Sequence, residues 1–281
     1  MTLFPSTNME LSDQTFRQLS DFIYNNSGLR YDESSKYVIQ RRLSARVREL
    51  RLESFDKYYY YLMYHPNREM ELEVIFDLIT INETYFFRED RQLRAFADEI
   101  VPEVMECRKD TRTMRIWSAG CSTGEEAYTI AMLCKQKREL EGWDIDIFAS
   151  DISQKVIQTA RRGVYGESSF RSTNENMRQL YFDRTPDNKY RIKEEIRRMV
   201  TFGKVNLLDE MRTGIFSELD IIFCRNVIIY FDVDAKKKVI ENFYRKLRKT
   251  GFLLLGHSES LLSLSTKFKL RHLKNDMVYE K

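Results

Sequence analysis

The stretch SAGCSTGEEAY, residues 118 to 128, reads as a glycine loop that turns into a helix. Such loops receive phosphate on the bare amides of the helix start. Here Glu125 and Glu126 occupy the first helical turn, where carboxylates satisfy the positive end of the helix dipole and repel a second anion. No lysine follows Gly124, so this is not a Walker loop, and the spacing of Gly120 and Gly124 only loosely matches the dinucleotide fingerprint. Glu125 reads as an ordinary dipole-satisfying helix starter, while Glu126 reads as an acceptor for a positive ligand group.

Two further stretches carry the same chemistry. Asp151, in FASDIS, follows a short apolar run and stands where a carboxylate accepts both hydroxyls of a ribose. No arginine follows directly, which disfavours a 2′-phosphate. Capping of a helix starting at Ile152 is an equally good reading of Asp151 taken alone. Later, CRNVIIYF places Arg225 and Asn226 just after another apolar run, with Tyr230 returning about one turn on. It lacks the prolines of the N-P-P-Y motif expected of methyltransferases acting on base amino groups. A ligand with a ribose, no pyrophosphate and a cation near Glu126 fits S-adenosyl-L-methionine. NAD fits worse, because its pyrophosphate would lie against Glu125 and Glu126.

These residues need an open parallel sheet, whose ligands sit outside the carboxyl ends of its strands. From Met114 onward short apolar runs alternate with helical stretches, the pattern of βαβ units. The strands are MRIWSA, DIFAS, MVTFGKV, LDIIFC and FLLLG, followed by an antiparallel closing pair, FKLRHL and MVYEK. Residues 163–198 form an insertion in which LYF and YRI flank the turn TPDN, giving a small antiparallel flap. The first third reads as helices. Ser12 caps the first, which carries Phe16, Leu19, Phe22 and Ile23 and ends at Asn26 and Gly28. The second, KYVIQRRLSARVREL, sets Ile39, Leu43, Val47 and Leu50 on one stripe and is markedly basic, with Lys36, Arg41, Arg42, Arg46, Arg48 and Arg51 against Glu49 alone. Helices around 55–64 and 70–78 complete a small bundle. The domains expected are 1–79, helical, and 80–281, a linker helix plus the ligand-binding domain.

At 281 residues, 42% hydrophobic and 32% charged, the chain has the composition of a soluble globular protein. No apolar run approaches the roughly 20 residues that span a bilayer, and the start lacks a signal pattern, so a cytoplasmic protein is expected. Cys107, Cys121, Cys134 and Cys224 form no C-x-x-C pair, which suggests neither disulfide nor metal site. A net charge of +3 is too small for a generic nucleic-acid binder, so a nucleic-acid methyltransferase has only the basic helix in its favour.

In order, TINETYFFRED, WSAGCSTGEEAY, FASDIS, KVNLL, FCRNVIIYF and GHSES resemble the chemotaxis receptor methyltransferases of the CheR type. The resemblance covers nearly the whole chain. It implies a class I S-adenosylmethionine-dependent methyltransferase domain, Rossmann-like with a small antiparallel β flap, preceded by an all-α N-terminal domain. The implied activity is methylation of receptor glutamates to γ-glutamyl methyl esters, with S-adenosyl-L-homocysteine as product. Carried over by position, the cofactor contacts are Asn82, Thr84, Arg88, Glu126, Asp151, Asn206, Leu207, Arg225 and Asn226, with Gly120 and Gly124 shaping the loop. Arg88 and Tyr230 fall nearest the transferred methyl, whereas Phe86 and Phe87 read as core. Arg41, Arg42, Arg48 and Arg51 become a docking face for the glutamate-rich receptor region. Members tethered by a receptor's C-terminal pentapeptide bind it on the flap at a glycine-containing loop; DRTPDNKY is short and has no glycine, so no tether is expected. The alternative is a catalytically silent S-adenosylmethionine-binding sensor.

Overall fold

The computed structural model describes residues 9–214 and 216–281. The chain divides into two units, one ending at Ile81 and one beginning at Asn82.

The first unit is helical: α1 (Asp13–Ser27), α2 (Lys36–Glu49), α3 (Phe55–Tyr64) and α4 (Arg68–Ile79). Ser12 caps α1 by accepting from the Thr15 N–H, and Gly28 closes it at φ 75°, a left-handed conformation that glycine adopts without steric cost. The core is built from Phe16, Leu19, Ile23, Ile39, Leu43, Val47, Phe55, Leu62, Ile75 and Ile79. A polar knot runs through it. Glu71 is 2% exposed, and its carboxylate takes a two-pronged ion pair from Arg46 and a 2.7 Å hydrogen bond from the Tyr58 hydroxyl. The basic helix is therefore less free than its sequence implies. Arg46 is neutralised, Lys36 pairs with Asp13, and Arg42 donates to the carbonyls of Ile79 and Thr80 at the end of α4. Arg41, Arg48 and Arg51 remain exposed.

The second unit opens with an irregular stretch. A helix follows, formed of α5 (Asp90–Ala95), a wide π turn (Phe96–Ile100) and α6 (Val101–Cys107). The wide turn comes just before Pro102, which has no N–H to continue the regular ladder. Then come β1 (Thr113–Ala119), α7 (Glu125–Gln136), β2 (Asp144–Asp151), α8 (Gln154–Arg162), β3 (Val164–Tyr165), α9 (Glu175–Tyr181), β4 (Phe182–Arg184), β5 (Tyr190–Ile192), α10 (Glu194–Arg197), β6 (Val200–Lys204), α11 (Glu210–Thr213), β7 (Leu219–Cys224), α12 (Val233–Lys246), β8 (Leu247–Leu255), β9 (Lys269–His272) and β10 (Met277–Glu280).

Seven strands form one sheet in the order β6-β2-β1-β7-β8-β10-β9, parallel through β8, with β10 antiparallel to both neighbours. The order reverses between β1 and β7, the switch point at which such sheets open a crevice. The flap has three strands, β3-β5-β4, one more than the turn signal alone reveals. Among the described residues no helix is long and apolar enough to cross a membrane.

Candidate active site

The crevice is made by the turns after β1, β2, β6 and β7 and by the segment preceding α5. After β1 the chain reverses on Gly120 (φ 82°), Ser122 (φ 49°) and Gly124 (φ 95°). A Cβ on Gly120 would lie 2.4 Å from the Val227 side chain, so the turns after β1 and β7 approach as closely as glycine permits. Three loop amides face inward: Gly120 and Cys121 both donate to the Ser150 carbonyl at 2.8 Å, and Ser122 donates to Asp151 Oδ2 at 2.9 Å. With those amides committed to the end of β2, this is no phosphate cradle, in keeping with the two glutamates beside it.

Asp151 is buried and also accepts from the Ser153 N–H. It is not a helix cap, since α8 starts at Gln154 and its N-cap is Ser153. Its carboxylate instead ties the β1 loop to the end of β2. Asn206 and Leu207 follow β6. Val205 donates its N–H to the Asp151 carbonyl, Asn206 accepts from the Leu208 N–H, and Leu207 is buried.

Glu126 accepts from Ser118 Oγ at 2.7 Å and from Arg225 Nη1 at 3.4 Å. Burial holds its carboxyl above the usual range, with Arg225 and Ser118 opposing. Arg225 is 7% exposed and donates through Nη2 to the Arg88 carbonyl and to Glu89, at 2.6 and 3.1 Å. It stands between two carboxylates as an internal clamp. Glu125 is more than a helix starter: it accepts from Thr123 Oγ1 and from Ser169 Oγ of the flap, and burial raises its carboxyl too.

Arg88 precedes the linker helix rather than lying on it. Phe87 and Glu89 on either side both have φ 58°, and such non-glycine residues cluster where function demands a particular backbone path. The half-buried Arg88 guanidinium donates to the Glu83 carbonyl and lies 5.7 Å from the Tyr85 ring. Phe86 is fully buried among Tyr165, Phe170 and Phe182, and its N–H donates to Ser169, so this segment is fastened to the flap. The Asn82 carbonyl accepts from Ser122 Oγ, and Thr84 is half-buried between these anchors.

After β7, Asn226 is left-handed at φ 59°, and Ile228–Tyr230 makes one 3₁₀ turn that ends on the half-buried Tyr230. Two buried polar atoms here have no hydrogen-bond partner, Arg225 Nε and Asn226 Oδ1. Orphans of that kind are rare in folded proteins and point to a ligand or water. An unsatisfied acceptor in the turn after β7, next in sequence to the Arg225 that pairs with Glu126, suits a ligand rich in donors and positive charge, so the residues present fit S-adenosylmethionine. Hydrogen bonds and close packing thus join Asn82, Arg88, Gly120, Glu126, Asp151, Arg225 and Asn226 into one network. The arginines of α2 belong to the other unit. Sequence reasoning missed Ser118, Glu89 and Glu259, although each lies in a quoted motif, WSAGCSTGEEAY, TINETYFFRED and GHSES.

The chain matches two family models, "CheR methyltransferase, all-alpha domain" over residues 14–80 and "CheR methyltransferase, SAM binding domain" over residues 82–277. It is 34% identical over 272 residues to chemotaxis protein methyltransferase 2 of Vibrio cholerae, covering 96% of this chain and 94% of the relative. The chemotaxis protein methyltransferase of Borreliella burgdorferi is 35% identical over 90% of each chain. That of Escherichia coli is 33% identical, over 94% of this chain and 90% of the relative.

Proposed function

The chain belongs to the CheR methyltransferase family and is an S-adenosylmethionine-dependent methyltransferase; from that premise we propose that it converts glutamate side chains of chemoreceptors to γ-glutamyl methyl esters. The observation that supports this reading is the network of Glu126, Arg225 and Arg88, which contains no histidine: His257 is exposed in the turn after β8 and lies 3.2 Å from Asp276, and His272 is exposed on β9. A glutamate, with an ordinary pKa near ~4.3, arrives already deprotonated and needs no base.

S-adenosylmethionine supplies an electrophilic methyl on a sulfonium. Glu126 and Asp151 would hold its cationic and ribose ends, Asn226 Oδ1 would offer a further acceptor, and Asn82, Thr84, Asn206 and Leu207 would bind the remainder. Arg88 steers the incoming carboxylate and Tyr230 orients the attacking oxygen. Positioning of this kind supplies up to ~7–11 kcal/mol. Because a carboxylate becomes a neutral ester, tight ion pairing by Arg88 would stabilise the ground state, so its role is orientation.

Arg41, Arg48 and Arg51, which have no carboxylate partner among the described residues, form the face that attracts a glutamate-rich receptor helix. Recognition is direct. The flap turn is closed on itself, with Thr185 and Lys189 exchanging hydrogen bonds and Asp187 accepting from Thr185, which supports binding without a pentapeptide tether.

Incubation with tritiated S-adenosylmethionine and receptor-containing membranes tests the reading. Base-labile label on receptor supports it, whereas no label on any substrate supports the silent sensor, and label on nucleic acid removes it. Arg88→Ala should keep the fold but lower turnover by about a hundredfold; unchanged turnover would take Arg88 out of the reaction.

A further inference from the structure

We propose that Glu259 is a positioning residue of the cofactor site, its carboxylate setting the backbone that presents Asn226 and Tyr230. Its two oxygens accept four main-chain N–H groups. Oε2 accepts from Gly256 at 2.7 Å and Asn226 at 2.8 Å; Oε1 accepts from Val227 at 2.9 Å and Ile229 at 3.2 Å. All four come from the ends of neighbouring strands, one from the turn after β8 and three from the turn after β7. Glu259 is itself fixed by its own N–H, which donates to the Gly256 carbonyl at 2.8 Å.

The bonds fall where the backbone is least able to hold its own shape. Asn226 is left-handed, which an L side chain adopts only with support, and the next residues make a single 3₁₀ turn whose first N–H groups have no internal partner. A carboxylate there supplies both the missing acceptors and negative charge at a positive helix end. The consequence falls on the site. With its N–H anchored, Asn226 keeps a buried, unpartnered Oδ1 in the turn after β7, and Arg225, one residue earlier, keeps its bonds to Glu89 and Glu126. Packing is equally close on the other side. A Cβ at Gly256 would lie 2.9 Å from both Asn226 N and Asn226 Nδ2 and 3.0 Å from Glu259 Oε2, so glycine there admits the carboxylate to the turn.

The test uses the full chain and adenosylhomocysteine binding by calorimetry, which needs no receptor and so stands apart from the identity of the methyl acceptor. Glu259→Gln keeps the shape but replaces one acceptor oxygen with an NH₂ group that faces N–H donors. At temperatures well below its melting midpoint it should bind adenosylhomocysteine about tenfold more weakly or worse. Gly256→Ala, which keeps Glu259 but crowds its carboxylate and the same turn, should weaken binding in the same direction. Asp220→Asn is the control. At the opposite end of the sheet, Asp220 accepts from Arg108 Nε and from the Arg115 N–H, so its loss lowers stability without touching the crevice. Its adenosylhomocysteine affinity should stay at the wild-type level. Should Glu259→Gln fail to fold, Gly256→Ala decides alone. Wild-type affinity in the folded Glu259 or Gly256 variant overturns the proposal, and so does an equal loss in Asp220→Asn.

Discussion

Replacing Arg225 by methionine keeps most of the apolar stem and removes the charge between Glu89 and Glu126. The guanidinium lies 3.1 Å from one carboxylate and 3.4 Å from the other, with the arginine side chain 3% exposed and each glutamate 14%. At an effective dielectric of about 20, each attraction is about 5 kcal/mol. Desolvation of three charged groups offsets much of that, and removal of one partner from a buried pair costs about 3–5 kcal/mol. At ~2–4 °C per kcal/mol for a unit of this size, the melting midpoint should fall by about 10 °C at pH 8. The loss should depend on pH. Burial already holds the Glu126 carboxyl above its usual range, and Arg225 is the largest influence opposing that rise. Without it the folded pKa climbs further above the unfolded value. An acid raised in this sense binds its proton first in the folded state, so stability declines as pH rises through the window between the two values. The deficit of Arg225→Met should therefore be greatest at pH 8 and shrink toward pH 5, where a protonated Glu126 no longer faces Glu89 as a like charge. Calorimetric melts of both proteins at the two pH values decide it. A deficit under about 1 kcal/mol, or one equal at both, would refute the clamp.

Gly120→Ala should abolish adenosylhomocysteine binding, because its Cβ would lie 2.4 Å from Val227 at a φ of 82°. Adding Val227→Ala removes the clash and leaves only the left-handed backbone cost of ~1–2 kcal/mol, so binding should partly return; no recovery in calorimetry would contradict the steric account. Glu125→Gln keeps both hydroxyl partners while removing a carboxyl that burial has raised, so its melting temperature relative to wild type should climb from pH 5 to pH 8. A constant difference would show that Glu125 is not a pH-sensitive cost to the fold. Replacing Arg41, Arg48 and Arg51 together by glutamate should raise KM for receptor and flatten its salt dependence, with adenosylhomocysteine affinity unchanged. An unaltered KM would move docking elsewhere.

The sequence made legible what local chemistry decides. The Ser12 cap, the Gly28 stop and the seven apolar runs of the main sheet each follow from neighbours a few residues away, and each has its counterpart in the structure. The flap's third strand escaped because Val164–Tyr165 is two residues long and is held by pairing with β5 rather than by its own pattern. The left-handed path at Phe87, Glu89, Ser122 and Asn226 escaped for a related reason. None is glycine, and of the four only Asn226 is a type that favours this conformation. The surrounding bonds impose it.

Charged residues were the hardest to read, because burial is conferred by elements far away in sequence. In isolation α2 is a row of solvated cations. In the fold, Glu71 takes Arg46, the last carbonyls of α4 take Arg42, and Asp13 takes Lys36. The crevice follows the same rule with opposite sign: Glu126 reads from the sequence as an open anion awaiting a cationic guest, yet the fold supplies Arg225, and Glu89 then answers Arg225. One arginine between two carboxylates leaves that trio with one negative charge when both are ionised, and Arg88 acts on Glu126 as a further cation. Neutralising Glu89 should then weaken the cofactor's hold as Arg225→Met weakens the fold, since each removes one end of the same balance.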